Sequence, residues 1–200
     1  MADTGNFPSL PSQPADTPWP TDTWPTGDLQ AQTDQAGLTQ LLDHAFSNPD
    51  DLGKTSAFLA VQGGRIVSER YNEGFGPNET YHSWSMAKSM AHALIGDARG
   101  DALLDIQARA TVAEWQGTGD PRAAITVEHL LRMISGLQFT EDYEDSGISH
   151  TIEMLFGAGK EDVAHYAASK PLEHPVGSFW SYSRGTANIL CRWLAYPLGV

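Results

Sequence analysis

The sequence predicts an α+β fold in which an antiparallel hairpin comes first and a helical region follows, with too few strands for a doubly wound sheet. Three observations carry this. Two strand-like runs, Phe58–Gln62 and Arg65–Tyr71, flank Gly63-Gly64, and both glycines tolerate the positive φ that a two-residue hairpin turn needs. Apolar residues recur at helical spacing before and after that hairpin. Helix punctuation is also present, with a capping Thr126 before an apolar run and Gly136 after it.

Taken in order, residues 1–28 hold Pro8, Pro11, Pro14, Pro18, Pro20 and Pro25 among Ser, Thr and Asp, a composition that removes backbone donors and buries little. This stretch reads as an N-terminal arm on a domain spanning 29–200, with Trp19 and Trp24 as candidates to pin its end. Leu38, Leu41, Leu42, Ala45 and Phe46 predict a first helix that Asn48-Pro49 ends. After the hairpin and a Gly74–Asn78 loop, Ser85–Ile95 is rich in Met, Ala and Leu and predicts a buried helix closed by Gly96. The region 100–121 alternates short apolar pieces with glycines and acids, as short helical segments do. Val127–Ile134 is the helix that Thr126 caps, and Thr140–Asp145 is an acidic loop. Short helices are expected at Ile152–Phe156 and Asp162–Ala168, then an aromatic turn at Phe179–Tyr182 and a last helix at Thr186–Ala195. No internal repeat is visible.

A net charge of -13, from 12 Lys+Arg against 25 Asp+Glu, leaves no basic stripe to neutralise phosphates, which argues against nucleic acid as a partner. Cys191 is the single cysteine, so no intramolecular disulfide forms. The start of the sequence has neither a basic n-region nor an apolar h-region, and no run approaches the ~18 apolar residues of a membrane span. The expectation is a cytoplasmic protein with no membrane partner. The histidines show no metal-ligand spacing and no phosphate-loop glycine pattern is present, so neither a metal nor a cofactor is implied.

Ser85-x-x-Lys88 sets a hydroxyl and an amine one helical turn apart, where the nitrogen can take the hydroxyl proton. Ser85 also stands at a helix start, where the macrodipole favours developing negative charge. Taken alone, most such pairs belong to a solvated helix face. A buried helix, however, needs a reason to carry a lysine. Tyr182 lies on a loop between a Pro175-Val176-Gly177 turn and the last helix, where a phenol could reach a cleft and serve as an acid. A buried aromatic with a satisfied hydroxyl is the plainer reading of that residue.

Three blocks together resemble the β-lactamase-like, penicillin-recognising serine hydrolases. They are Ser85-Met86-Ala87-Lys88-Ser89 after a hairpin, Ile125–Gly136, and the Pro175–Tyr182 segment, in the family's order and rough spacing. The similarity is greatest to the branch of 6-aminohexanoate-dimer hydrolases and carboxylesterases, and it runs from about Ala57 to Val200. It implies a β-lactamase/transpeptidase-like fold and an acyl-enzyme mechanism on a small-molecule amide or ester. Ser85 would be the nucleophile, Lys88 its base and Tyr182 the proton relay. Tyr143, in the acidic loop that borders the cleft by the same resemblance, would contact substrate; a solvated acidic loop is the plainer reading of that segment. Arg184 stands where class C β-lactamases have Asn, which favours the amide- and ester-hydrolysing branch over a β-lactamase or a D-Ala-D-Ala carboxypeptidase. No late Lys-Thr-Gly or His-x-Gly strand is found, so the sheet is expected to be incomplete and the polypeptide truncated at its C-terminal end. The rival expectation is an inactive remnant that only binds.

Overall fold

The computed structural model describes residues 12, 15–143 and 149–198. The polypeptide divides into two compact units, Met1–Tyr81 and His82–Val200.

In the first unit, α1 (Gln35–Ser47) begins where the Asp34 side chain accepts the Gly37 N–H at 2.9 Å. It ends at Asn48 as expected, but Pro49 then opens a further short helix, α2 (Pro49–Leu52), because proline suits a first helical position. The strands β1 (Ala57–Gln62) and β2 (Arg65–Tyr71) pair antiparallel with Gln62 opposite Arg65. Gly63 and Gly64 join them at φ 56° and 70°, the left-handed values a type I′ turn requires. An irregularity between Ala60 and Val61 shifts the register before the turn. The arm is tied to this hairpin through its backbone: Pro25 accepts the Ile66 N–H at 2.8 Å and Gly27 donates to the Ile66 carbonyl at 2.9 Å. Trp19 and Trp24 are not the pins, being 69% and 48% exposed.

The second unit opens with α3 (Met86–Gly100), which runs past the expected stop at Gly96. Nothing lies within 4 Å of where a Gly96 Cβ would be, so this exposed glycine costs the helix some stability without breaking it. Only one stripe of α3 is buried, Ala91, Ile95 and Ala98, and Met86, Met90 and Leu94 on another face are exposed. The helix is therefore half-buried rather than buried throughout. Helix α4 (Val127–Leu131) starts in a capping box: the Thr126 hydroxyl accepts the His129 N–H, and His129 Nδ1 accepts the Thr126 N–H. It stops at Leu131, short of Ile134, because Met133 turns to φ 57°.

Besides two 3₁₀ turns at Ala113–Trp115 and Pro121–Ala124, three further α-helices lie in this unit among the described residues. They are α5 (His150–Phe156), α6 (Val163–Ala168) and α7 (Arg184–Leu198), capped in turn by the Ser149, Asp162 and Ser183 side chains. Helix α7 packs on α3, α4, α5 and α6 and supplies Ile189 and Leu190 to a core that includes Ile95, Val112, Leu130 and Met154. Trp115 is fully buried there and its indole donates to the Ala168 carbonyl at 2.8 Å. Beside it Glu114 receives Arg192 at 2.6 Å and His165 at 2.7 Å. Burial pushes the Glu114 carboxyl up, yet these two hydrogen bonds outweigh it and hold the group below its ordinary value. Among the described residues no helix is long and apolar enough to cross a membrane.

Candidate active site

Ser85 precedes the first residue of α3 but does not spend its side chain as a cap. Its hydroxyl is instead 3.1 Å from Lys88 Nζ, one turn along the helix. Lys88 heads the buried stripe that continues through Ala91, Ile95 and Ala98, which is why a lysine on this helix is partly shielded. The Ser85 N–H has no acceptor among the described residues, as expected for the first N–H of a helix. Immediately before it, Trp84 adopts φ 46°, a left-handed conformation that costs a bulky residue on the order of 1–3 kcal/mol.

Tyr182 lies in the segment that leads into α7. Its ring lies 4.7 Å from Lys88 Nζ. Hydrogen bonding to the Ser85 hydroxyl lowers its phenol from the ordinary value; burial opposes this, the Lys88 ammonium adds to it, and the Glu141 charge works against it. The structure thus brings Ser85, Lys88 and Tyr182 together.

The segment carrying Tyr182 is held at both ends. On one side Ser181 donates to the Met133 carbonyl at 3.0 Å and Gly177 to that of Ile134 at 2.9 Å. These bonds need the backbone to approach closely at Gly136, which sits at φ 78° with its carbonyl accepting the N–H groups of Glu173 and His174. A Cβ at Gly136 would lie 2.3 Å from the His174 carbonyl oxygen. On the other side, the Arg184 backbone N–H donates to Glu141 at 2.7 Å.

Glu141 is a residue that sequence reasoning did not single out. Its side chain is only 7% exposed and accepts the Arg184 N–H, Arg184 Nε at 3.0 Å and the Tyr143 hydroxyl at 3.0 Å. The guanidinium of Arg184 in turn lies 5.4 Å from the centres of the Trp84 and Tyr143 rings. Tyr143 is half-exposed, and burial followed by its bond to Glu141 raises its phenol. It packs against the Arg184 guanidinium. The local signal for Glu141 was weak, because its partner is 43 residues away and the loop around it reads as solvated acids. Glu144 and Asp145 of that loop lie outside the described residues.

A cavity of about 230 Å³ lies beside Lys88, walled by Ala87 and Ala91 of α3, Leu155 of α5 and Ala187 and Cys191 of α7. Among the described residues no group of three or more His, Cys, Asp or Glu is placed to hold a metal ion.

Residues 54–199 match the family model described as Beta-lactamase. A solved structure from Bacillus anthracis, of a protein provisionally named a 6-aminohexanoate-dimer hydrolase, is similar with a TM-score of 0.66 and 20% sequence identity. The likeness covers 92% of this chain and 51% of that one, so the chain spans about half the length of the structure it matches. At this identity the structural likeness establishes the β-lactamase/transpeptidase-like fold, and the two-stranded antiparallel sheet seen among the described residues is consistent with part of the sheet of that fold. The family match covers well over half of the sequence, and on that ground the chain belongs to the β-lactamase family.

Proposed function

We propose that the protein is a serine hydrolase that cleaves a small amide or ester through an acyl-enzyme. With the Lys88 amine neutral, the 3.1 Å separation lets Nζ take the proton as Ser85 Oγ attacks the carbonyl. The Ser85 N–H, which has no acceptor among the described residues, is one donor available to the oxyanion. Collapse then expels the alcohol or amine, which receives its proton from Lys88 by way of the Tyr182 phenol. Water attacks the acyl carbon by the reverse relay and frees Ser85.

The observation that carries this reading is the convergence on Lys88 of a serine hydroxyl left free by its own helix start and of the Tyr182 ring. Family membership supports hydrolysis in general. Arg184 after Tyr182, in place of the Asn of class C β-lactamases, favours acyclic esters and amides over β-lactams.

The test is intact-mass analysis after incubation with a fluorophosphonate probe, on the native protein and on Ser85→Ala and Lys88→Ala. One adduct per molecule, lost in both variants, is expected. A folded native protein that takes no label, or a label that survives Ser85→Ala, overturns the proposal.

A further inference from the structure

We infer that the cavity beside Lys88 receives a short aliphatic group ending in a carboxylate, and that Arg184 is the residue that selects it. The inference rests on the hydrolase reading only in naming this group as the acyl part of a substrate; the binding itself stands apart from turnover.

Position comes first. Lys88 forms part of the cavity wall, and its Nζ is 3.1 Å from Ser85 Oγ, so a ligand filling the space lies one side chain from the nucleophile. The opposing faces of α3 and α7 contribute Ala87, Ala91 and Ala187, whose single methyl groups leave a slim apolar space rather than a broad one. Its volume of about 230 Å³ suits a short aliphatic chain with one polar end.

Charge then decides which polar end. Among the described residues the lining contains the Arg184 guanidinium and the Lys88 amine, and no carboxylate. Arg184 bonds Glu141 through Nε, and its two terminal nitrogens have no acceptor among the described residues. Among the described residues that leaves the fork of the guanidinium open, and a carboxylate matches such a fork with two parallel hydrogen bonds. The Trp84 and Tyr143 rings, each 5.4 Å from the guanidinium carbon, restrict its rotation, so less ordering is needed on binding. An ammonium end finds no carboxylate among the described lining residues. Glu141 is already occupied by the Arg184 N–H, Arg184 Nε and the Tyr143 hydroxyl. The substrate class is thus a half-ester or half-amide of a short dicarboxylic acid.

Cys191 lines the same cavity and supplies a readout that needs no catalysis. The experiment follows alkylation of Cys191 by iodoacetamide, by intact mass at mildly alkaline pH and constant ionic strength, with glutarate, glutaramide or a five-carbon diamine present. Glutarate is expected to slow alkylation several-fold while the other two do not, and Arg184→Gln is expected to abolish the protection. Absence of protection by glutarate, equal protection by glutaramide or the diamine, or full protection in Arg184→Gln overturns the inference. If that variant does not fold, the three-ligand comparison on the native protein still decides. Glutarate protection without fluorophosphonate labelling would keep this site and sink the hydrolase reading, and labelling without protection would do the reverse.

Discussion

The Glu141 carboxylate accepts both the backbone N–H and the Nε of Arg184, at 2.7 and 3.0 Å, and through them fixes the start of the helix that follows Tyr182. A loop side chain thereby sets the position of a phenol at the candidate site. The backbone bond matters more than the ion pair in this respect, because Arg184 is two residues from Tyr182 while its side chain points toward Trp84 and Tyr143.

We predict that Glu141→Ala is the more damaging of two changes at that position. It removes the acceptor of three hydrogen bonds and leaves the Arg184 charge, 19% exposed, without its partner. A loss of about 2–4 kcal/mol in urea unfolding is expected, toward the range for breaking a largely buried pair. Glu141→Gln keeps one acceptor oxygen and should lose clearly less. Equal stability of the two variants would show that the acceptor geometry at Arg184 is unimportant.

Tyr182 should ionise before the other tyrosines whose environment is perturbed. Bonding to Ser85 and Lys88 lowers its phenol, whereas Tyr71 and Tyr143 are raised, in both cases with a carboxylate as hydrogen-bond acceptor. In an ultraviolet titration of the phenolates, Tyr182→Phe is expected to remove an early phase and leave the late ones. The same variant should retain the fold and lower ester hydrolysis by about 10²–10⁴-fold, as loss of a proton-transfer group does. Removal of a late phase instead would place the phenol away from the lysine.

Stability should fall in two steps as pH is lowered. His129 Nδ1 accepts the Thr126 N–H and His150 Nδ1 accepts the Thr140 N–H at 2.8 Å, so each ring must stay neutral at that nitrogen. Burial, chiefly, depresses both imidazoles. A depressed group contributes fully above its unfolded value, about 6.5 for histidine, and loses that contribution as pH falls through the folded value. The second step, beginning below about 4.3, belongs to Glu114 and Asp120, whose carboxyls are both depressed. His129→Gln preserves a capping-box residue and should shrink the first step alone, read as urea midpoints across pH. An unchanged first step would remove His129 from the account.

Gly136→Ala should be disruptive out of proportion to its size. The strain at φ 78° alone costs on the order of 1–3 kcal/mol, and the added Cβ meets the His174 carbonyl oxygen, which is backbone and cannot swing aside. Because the same crossing aligns Ser181 with Met133, the variant should lose fluorophosphonate labelling as well as thermal stability. Retained labelling in a folded variant would uncouple this crossing from the site.

What was legible in the sequence was what short-range chemistry fixes. The Gly63-Gly64 turn, the Thr126 cap and the Ser85–Lys88 spacing each depend on residues within a few positions of one another. Helix ends that depend on tertiary surroundings were not legible. Gly96 stops nothing because it is not among the glycines that turn left-handed, and α4 ends early because Met133, not Gly136, makes the first left-handed turn. Nor was the half-exposed face of α3 foreseeable, since Met86, Met90 and Leu94 are as apolar as the buried stripe. The Glu141–Arg184 pair was hidden for a different reason: two polar residues in separate loops carry no periodicity to join them.

The most direct test of the central claim is to trap the acyl-enzyme. The native protein would be mixed with p-nitrophenyl acetate, quenched in acid and mapped by peptide mass analysis. An acetyl group on the Ser85 peptide, absent in Lys88→Ala and accumulating in Tyr182→Phe, is the predicted result. An adduct on any other residue, or a Ser85 adduct that forms equally well in Lys88→Ala, would contradict the account.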